Sequence, residues 1–223
     1  TYFERVRQHG VTGYSVYTHM ILPKSFGMSV EDSYWHLNEN VQIWDVSVQR
    51  QVEITGPDAA RLVQWLTPRD LRQAETGRCY YIPVVDRDGG MLNDPVLLKL
   101  AADRFCLSVA DSDLLLYVKG LAIGGGYDVS VEEPDVNPLA IQGPKAVSVI
   151  AALFGEAVAK LKFFHFTHID LFGTRQIVSR SGFSSAAGFE IYLDDPTLAE
   201  PLWDLVWDAG QPFGMKAGGP NLI

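Results

Sequence analysis

The sequence is short of cysteine, of basic residues and of long apolar runs, and each shortage excludes something. Two cysteines in 223 residues, Cys79 and Cys106, make no disulfide framework, so a reducing compartment is expected. Neither lies in a Cys-x-x-Cys pair, which sets redox catalysis aside. No apolar stretch approaches the roughly 18 uninterrupted residues of a membrane span. The 18 Lys and Arg are outnumbered by 27 Asp and Glu, for a net charge of −9. That balance argues against an electrostatically driven nucleic-acid binder, which needs a basic face. The start, Thr1, carries no charged-then-apolar-then-small signal pattern, so a cytoplasmic location is expected. The chain closes on Gly218-Gly219-Pro220-Asn221-Leu222-Ile223 with no element completed, which reads as a piece of a longer protein.

Motifs are missing too. Gly89-Gly90 and Gly124-Gly125-Gly126 have neither the Walker lysine nor the strand-to-helix GxGxxG setting, so they read as turn and cap glycines. No GxSxG elbow appears. The five histidines lack zinc spacing, and His165 and His168 would point to opposite faces of a strand, so no metal is expected.

What is present is globular: 47% hydrophobic, 20% charged and 11% aromatic residues, enough for a sizeable core. No internal repeat stands out. The first forty or so residues fit no clear pattern. Val41 to Ile54 reads as one strand, with Val46, Val48, Val52 and Ile54 among polar residues. Gly56-Pro57-Asp58 then opens a helix to Leu66. Strands follow at Cys79 to Val85, Met91 to Leu100 and Arg104 to Ala110, the first two joined by the turn Asp86-Arg87-Asp88-Gly89-Gly90. A helix from Asp111 to Ala122 takes Asp111 or Ser112 as its cap. Beyond it come strands at Tyr127 to Val131 and Leu139 to Gln142, and a helix from Pro144 to Phe154. A hairpin, Phe166 to Phe172 and Arg175 to Ser181, turns at Gly173. Last are a strand, Phe189 to Leu193, and a helix, Pro196 to Ala209. Irregular alternation with several hairpins predicts an α+β fold. We divide it into units 1–125 and 126–223.

Two carboxylates stand out. Asp94 falls inside an apolar strand just after the Gly89-Gly90 turn, and burying a carboxylate unpaired costs several kcal/mol. An aspartate capping a turn at a strand edge beside Pro95 is the commoner reading. Glu190 lies in the apolar run Gly188-Phe189-Glu190-Ile191-Tyr192. It is either an edge-strand glutamate or an acceptor for a flat, amine-rich heterocycle whose ring stacks on aromatics.

These segments carry a resemblance. Asp45-Val46-Ser47 with Gly56 beyond it, Gly89-Gly90-Met91-Leu92-Asn93-Asp94, Leu139-Ala140-Ile141-Gln142-Gly143-Pro144, and Ser179-Arg180-Ser181-Gly182 leading to Gly188-Phe189-Glu190-Ile191 match the folate-dependent aminomethyltransferases in order. That is the T-protein family of the glycine cleavage system. Tyr14 to Met20, Trp44-Asp45-Val46-Ser47, Cys79 to Pro83, Asn93-Asp94-Pro95 and Lys162-Phe163-Phe164 are most similar to the dimethylsulfoniopropionate demethylases within it. The cysteine-bearing signature of the related iron–sulfur assembly folate proteins is not found.

The resemblance implies two α+β units, followed in the family by a C-terminal β-barrel that this chain would lack, around a central folate hole. It implies tetrahydrofolate as methyl acceptor and a small sulfonium substrate as donor. By position, Tyr81 lines the pterin, Asp94 lies near the reactive N5, Ser108 contacts folate, Glu190 accepts from the pterin amine edge, and Phe183 holds an aromatic place that is often Tyr or Trp. Where relatives carry Tyr-Thr-Gly-Glu this chain has Phe183-Ser184-Ser185-Ala186, which weakens an assignment to glycine cleavage itself. The implied reaction moves a methyl group from dimethylsulfoniopropionate to tetrahydrofolate, giving methylmercaptopropionate, with Asp94 catalytic. Tyr17 and Trp44 are candidates for the sulfonium side through their aromatic faces, with core packing the weightier reading of both. The alternatives are a relative using another N-, O- or S-methyl donor, or a folate-binding module without catalysis.

Overall fold

The computed structural model describes residues 1–110 and 113–220. The chain divides into two compact units, one of Thr1–Val48 with Val136–Ile223 and the other of Gln49–Asp135. The expected division at 125/126 differs from this in both its place and its kind, because the first unit is built from the two ends of the sequence. The α+β class is as expected.

The first stretch holds α1 (Phe3–Gln8), the hairpin β1 (Gly13–Tyr17) and β2 (Met20–Ser25), α2 (Val30–Glu39) and β3 (Gln42–Asp45). Ser29 caps α2 by accepting from the Asp32 N–H, 3.0 Å away. The single strand expected over Val41 to Ile54 is two strands in two sheets. Asp45 Oδ1 accepts from both the N–H and the hydroxyl of Ser47, and this turn ends β3 although the Val46, Val48 alternation runs on through it.

The Gln49–Asp135 unit contains β4 (Gln51–Thr55), α3 (Ala59–Leu66), β5 (Cys79–Tyr81), β6 (Val84–Val85), β7 (Met91–Asn93), β8 (Val96–Lys99), β9 (Arg104–Ser108), α4 (Leu114–Gly125) and β10 (Ser130–Glu132). Its main sheet has the order β10-β4-β9-β8-β5, and β6 pairs with β7 as a separate ribbon. The strand expected over Met91 to Leu100 is broken at Asp94-Pro95, where Pro95 has no N–H for a ladder. The cap expected for α4 at Asp111 or Ser112 lies outside the described residues. That helix ends one turn later than expected, on Gly126 in the left-handed region at φ +62°. Val52, Ile54, Leu97, Phe105 and Leu107 on one sheet face form a core with Leu62, Val63 and Leu66 of α3 and Leu114 and Val118 of α4.

The chain then returns to the first unit with β11 (Asn137–Gln142), α5 (Ala146–Phe154), α6 (Glu156–Ala159), β12 (Phe166–Leu171), β13 (Thr174–Ser179), β14 (Gly188–Leu193), α7 (Ala199–Gly210) and β15 (Lys216–Ala217). The sheet order is β12-β13-β14-β11-β3-β15, with β15 parallel to β3. One face presents Ile43, Leu139, Ile141, Val178, Phe189, Ile191 and Leu193 to Val149 and Ile150 of α5, Leu202, Trp203 and Val206 of α7, and Val6 of α1.

A repeat invisible in composition appears in topology. Strand β4, helix α3, strands β5, β8 and β9 and helix α4 follow the same order as β11, α5, β12, β13, β14 and α7, and in each sheet the four strands lie side by side in the same sequence. Both copies turn from strand to helix at Gly-Pro. At Gly56 (φ +127°) a Cβ would stand 2.7 Å from the Asp128 carbonyl, and at Gly143 (φ +119°) it would overlap the Asn40 carbonyl. In each corner the N–H two residues on, Asp58 or Lys145, donates to that same carbonyl at 3.2 Å. The glycine is required so that the neighbouring backbone can approach.

Candidate functional site

In each unit one sheet face is covered by helices and the polar candidates lie on the other. This follows from the period of two along a strand, which puts directly paired residues on one face.

In the Gln49–Asp135 unit the pairs Tyr81↔Val96, Val96↔Ser108 and Ser108↔Gln51 form one row across four strands. Tyr81 and Ser108 thus flank Val96 on the face away from α3 and α4. Tyr81 is 44% exposed, and its hydroxyl donates to Asp94 Oδ2 at 2.9 Å. That bond to a carboxylate holds the Tyr81 phenol above its ordinary pKa, aided by some desolvation. Asp94 is half-buried and lies in the break between β7 and β8, not within a strand as expected. Ser108 is buried and its hydroxyl accepts from Gln51 Nε2 at 3.0 Å. The Tyr81 carbonyl accepts from Arg69 Nη1 at 2.7 Å. On the same face Cys106 donates its thiol to Gln51 Oε1, and burial pushes that thiol up to about 12. It is an inert group, as the sequence suggests.

In the other unit Ser179↔Glu190, Glu190↔Ala140 and Ala140↔Trp44 form a row of the same kind. Glu190 stands on β14, an interior strand, so the edge-strand alternative is excluded; it is 5% exposed. Its Oε2 accepts from the Ser181 hydroxyl and, at 3.2 Å, from the Tyr192 hydroxyl, while Ser181 also shares a hydrogen bond with Ser179. Among the described residues no donor meets Oε1. Burial raises the Glu190 carboxyl above its ordinary pKa, and the two hydroxyl donors pull the other way. Sequence reasoning missed Ser181 and Tyr192. The signal was there, since Ser179-x-Ser181 and Glu190-x-Tyr192 both keep the period of two.

Trp44 is 2% exposed, packs with Leu37, Val46 and Ala140, and donates its indole N–H to Gln42 Oε1 at 2.8 Å. The core-packing reading describes it. Tyr17 is half-buried at the end of β1, opposite Met20, beside a two-residue turn in which Thr18 and His19 take φ of +46° and +63°. Phe183 is 67% exposed on the 182–187 segment, which has neither helix nor strand. His165 precedes β12 and contacts the Phe163 carbonyl through Nδ1 at 3.1 Å, and His168 Nδ1 meets Arg175 at 3.2 Å. Among the described residues no helix is long and apolar enough to cross a membrane.

A family profile described as the GCVT N-terminal domain matches residues 2–221. The dimethylsulfoniopropionate demethylase DmdA of Ruegeria pomeroyi is 49% identical over 218 residues, which are 98% of this chain and 60% of that protein. An aminomethyltransferase of Lysinibacillus sphaericus is 32% identical over 202 residues, 89% of this chain and 54% of that protein. The chain therefore spans little more than half the length of these relatives. Among solved structures, the glycine cleavage system aminomethyltransferase T from Bartonella henselae superposes with a TM-score of 0.85 at 22% identity, covering all of this chain and 60% of that one. The heterotetrameric sarcosine oxidase from Corynebacterium sp. U-96, in complex with pyrrole 2-carboxylate, gives 0.57 at 19% identity over 79% of this chain and 86% of that one. At these identities the likeness is one of fold.

Proposed function

Since the chain belongs to the GCVT N-terminal domain family, we propose that it is the folate-holding part of a methyltransferase that moves a methyl group from the sulfonium of dimethylsulfoniopropionate to N5 of tetrahydrofolate. The donor assignment is supported by the relative that is 49% identical over nearly the whole chain. The observation that carries the folate reading is Glu190, a buried carboxylate with one oxygen saturated by hydroxyls and the other without a donor among the described residues. Such a group fits a ligand edge rich in N–H, because a hydrogen bond to a carboxylate is roughly twice as strong as one between neutral groups.

In this reading Glu190 accepts from the pterin amine edge through Oε1, and Ser181 and Tyr192 keep its carboxylate turned to do so. Tetrahydrofolate supplies the nucleophilic N5. The C–S bond breaks and the sulfide leaves neutral with its electron pair as methylmercaptopropionate; a C–N bond forms, and the N5 proton departs, giving 5-methyltetrahydrofolate. A sulfonium needs no acid to expel its leaving group, so the protein's work is alignment and charge. Asp94, held by the Tyr81 hydroxyl, stabilises the positive charge that develops at N5. Phe183, Tyr81 and Ser108 contact the folate, and Tyr17 faces the sulfonium.

The test is calorimetric titration of tetrahydrofolate into the chain, followed by a panel of methyl donors read by mass spectrometry. Saturable binding by the chain is the expected result, with methylmercaptopropionate formed from dimethylsulfoniopropionate when the assay is run on a protein extended to the relatives' full length. Turnover with an amine-borne donor instead moves the chain to the aminomethyltransferases, which its 32% identical relative represents. Binding without turnover from any donor leaves a folate-holding module, and no binding overturns the proposal.

A further inference from the structure

Residues 182–187 form no helix or strand, and Ser185 within them takes a φ of +56°, where a side chain is strained. A buried side chain at the end of β11 meets this segment in its middle and the residues on both sides of it. Gln142 is 1% exposed. Its amide nitrogen donates to the carbonyls of Ser181 and Phe189, both at 3.4 Å, and its Oε1 accepts from the Ser184 hydroxyl at 2.6 Å. Two carbonyl partners on one side fix which end of the amide is nitrogen. Ser184 Oγ accepts in turn from the Ala186 N–H at 3.3 Å, and the Gly143 N–H donates to the Ala187 carbonyl at 2.7 Å. The amide thus touches the entry, the middle and the exit of the segment.

Gly182 and Gly188 are the walls of the amide's slot. A Cβ on either would overlap the Gln142 amide. Gly188 needs no special backbone angle, so it is the amide, not the chain's conformation, that excludes a side chain there. At Gly182, whose φ is +150°, the backbone angle and the amide both exclude a side chain.

We propose that Gln142 is a positioning residue: it sets the 182–187 segment, and through it the place of Phe183 and of the Ser181 hydroxyl that Glu190 accepts from. The link from segment to ligand rests on the folate reading above; the link from Gln142 to segment does not.

The experiment uses the whole chain with Gln142→Ala, Gln142→Glu, Gly188→Ala and the double variant Gln142→Ala/Gly188→Ala. Three quantities are read: amide hydrogen exchange of peptides spanning 182–188, the melting temperature, and tetrahydrofolate affinity. Gly188→Ala should lower the melting temperature, and the double variant should recover much of that loss because the clash is gone. Exchange in 182–187 should nonetheless stay roughly tenfold or more above wild type in every variant lacking Gln142. Gln142→Glu keeps the volume but loses both donors, and should exchange like Gln142→Ala. Tetrahydrofolate affinity should fall roughly tenfold in the double variant despite its recovered stability, the scale of about one lost hydrogen bond in ordering the segment. A merely structural role would restore affinity together with stability, and that result overturns the proposal. Unchanged exchange in Gln142→Ala also overturns it. If wild type binds no tetrahydrofolate while exchange still responds to Gln142, the folate reading fails and the hold on the segment stands.

Discussion

Replacing Glu190 with glutamine is the sharpest perturbation of the proposed site. The carboxylate is buried on an interior strand with both donors on Oε2. An N–H edge meeting Oε1 would make a hydrogen bond to a charged acceptor, worth about 1.5–3 kcal/mol, so Glu190→Gln should weaken tetrahydrofolate binding by roughly ten- to a hundredfold. The pH dependence is a second, independent signature. Burial raises the free protein's Glu190 pKa, so just above the ordinary carboxylate range the group still holds its proton. Ligand N–H donors favour the ionised form, hence wild-type affinity should climb as pH rises through the raised pKa and then level off; the Gln variant should lack that rise. Folding stability runs the opposite way. The folded state binds more protons than the unfolded chain between the unfolded value near ~4.3 and the raised folded value, so stability falls as pH rises across that window. Glu190→Gln should flatten this slope too. Calorimetry and chemical denaturation over a pH series measure both. Equal affinity for wild type and variant, or a loss that is the same at every pH, would refute the assignment of Glu190 as the ligand's acceptor.

Asp94→Asn should leave tetrahydrofolate affinity nearly unchanged and slow methyl transfer by about ten- to a thousandfold, the scale of losing a preorganised electrostatic partner. It should also let the Tyr81 phenol titrate closer to its ordinary range, which carbon NMR of labelled tyrosine would show. Gly143→Ala should cost about 2–5 kcal/mol, from left-handed backbone strain plus overpacking against the Asn40 and Leu37 carbonyls, whereas Gly89→Ala (φ +85°, nothing nearby) should cost the strain alone, about 1–2 kcal/mol. Thermal melts of the two variants compare these directly, and equal losses would show that close approach is not what requires Gly143.

Local chemistry was legible where it is punctuated by glycine and proline. The α3 start at Gly56-Pro57, the turn between β6 and β7 and the Gly173 turn were all read from those residues. What escaped is what depends on pairing at long range. Val46 and Val48 continue the alternation of the strand before them, and only the Asp45–Ser47 turn reveals that β3 and β4 belong to different sheets. The two units differ from a division at 125/126 for a related reason: a strand lent to a distant sheet leaves no mark on composition. Asp94 and Glu190 stand out as carboxylates among apolar neighbours, but Tyr81 and Ser181 reach them from 13 and 9 residues away, a distance at which sequence neighbours give no signal. Ser181, Tyr192 and Gln142 act through the period of two and through contacts made many residues away.

The topological repeat explains where the two carboxylates come from. In one copy β12 passes to β13 through the tight Phe172-Gly173 turn. In the other the equivalent step, from β5 to β8, is interrupted by the β6–β7 ribbon. Tyr81 is the last residue before that insertion and Asp94 one of the last within it, and the Tyr81↔Val96 pair, with the Ile82 N–H donating to the Pro95 carbonyl at 3.1 Å, closes its base. The insertion therefore returns Asp94 to the Tyr81 hydroxyl, a contact that a tight turn cannot make. On the central strand the register gives a second contrast. Glu190 pairs with Ala140 on β11, and the position matching it on β9, opposite Glu53 of β4, is Cys106. One copy thus buries an acceptor beside two hydroxyls, and the other a thiol that burial leaves unreactive. The same scaffold supports a carboxylate in each unit by different means: on a strand where the hydroxyls of Tyr192, two residues on, and of Ser181, just beyond the neighbouring strand, can serve it, and at the end of an inserted ribbon where a phenol can.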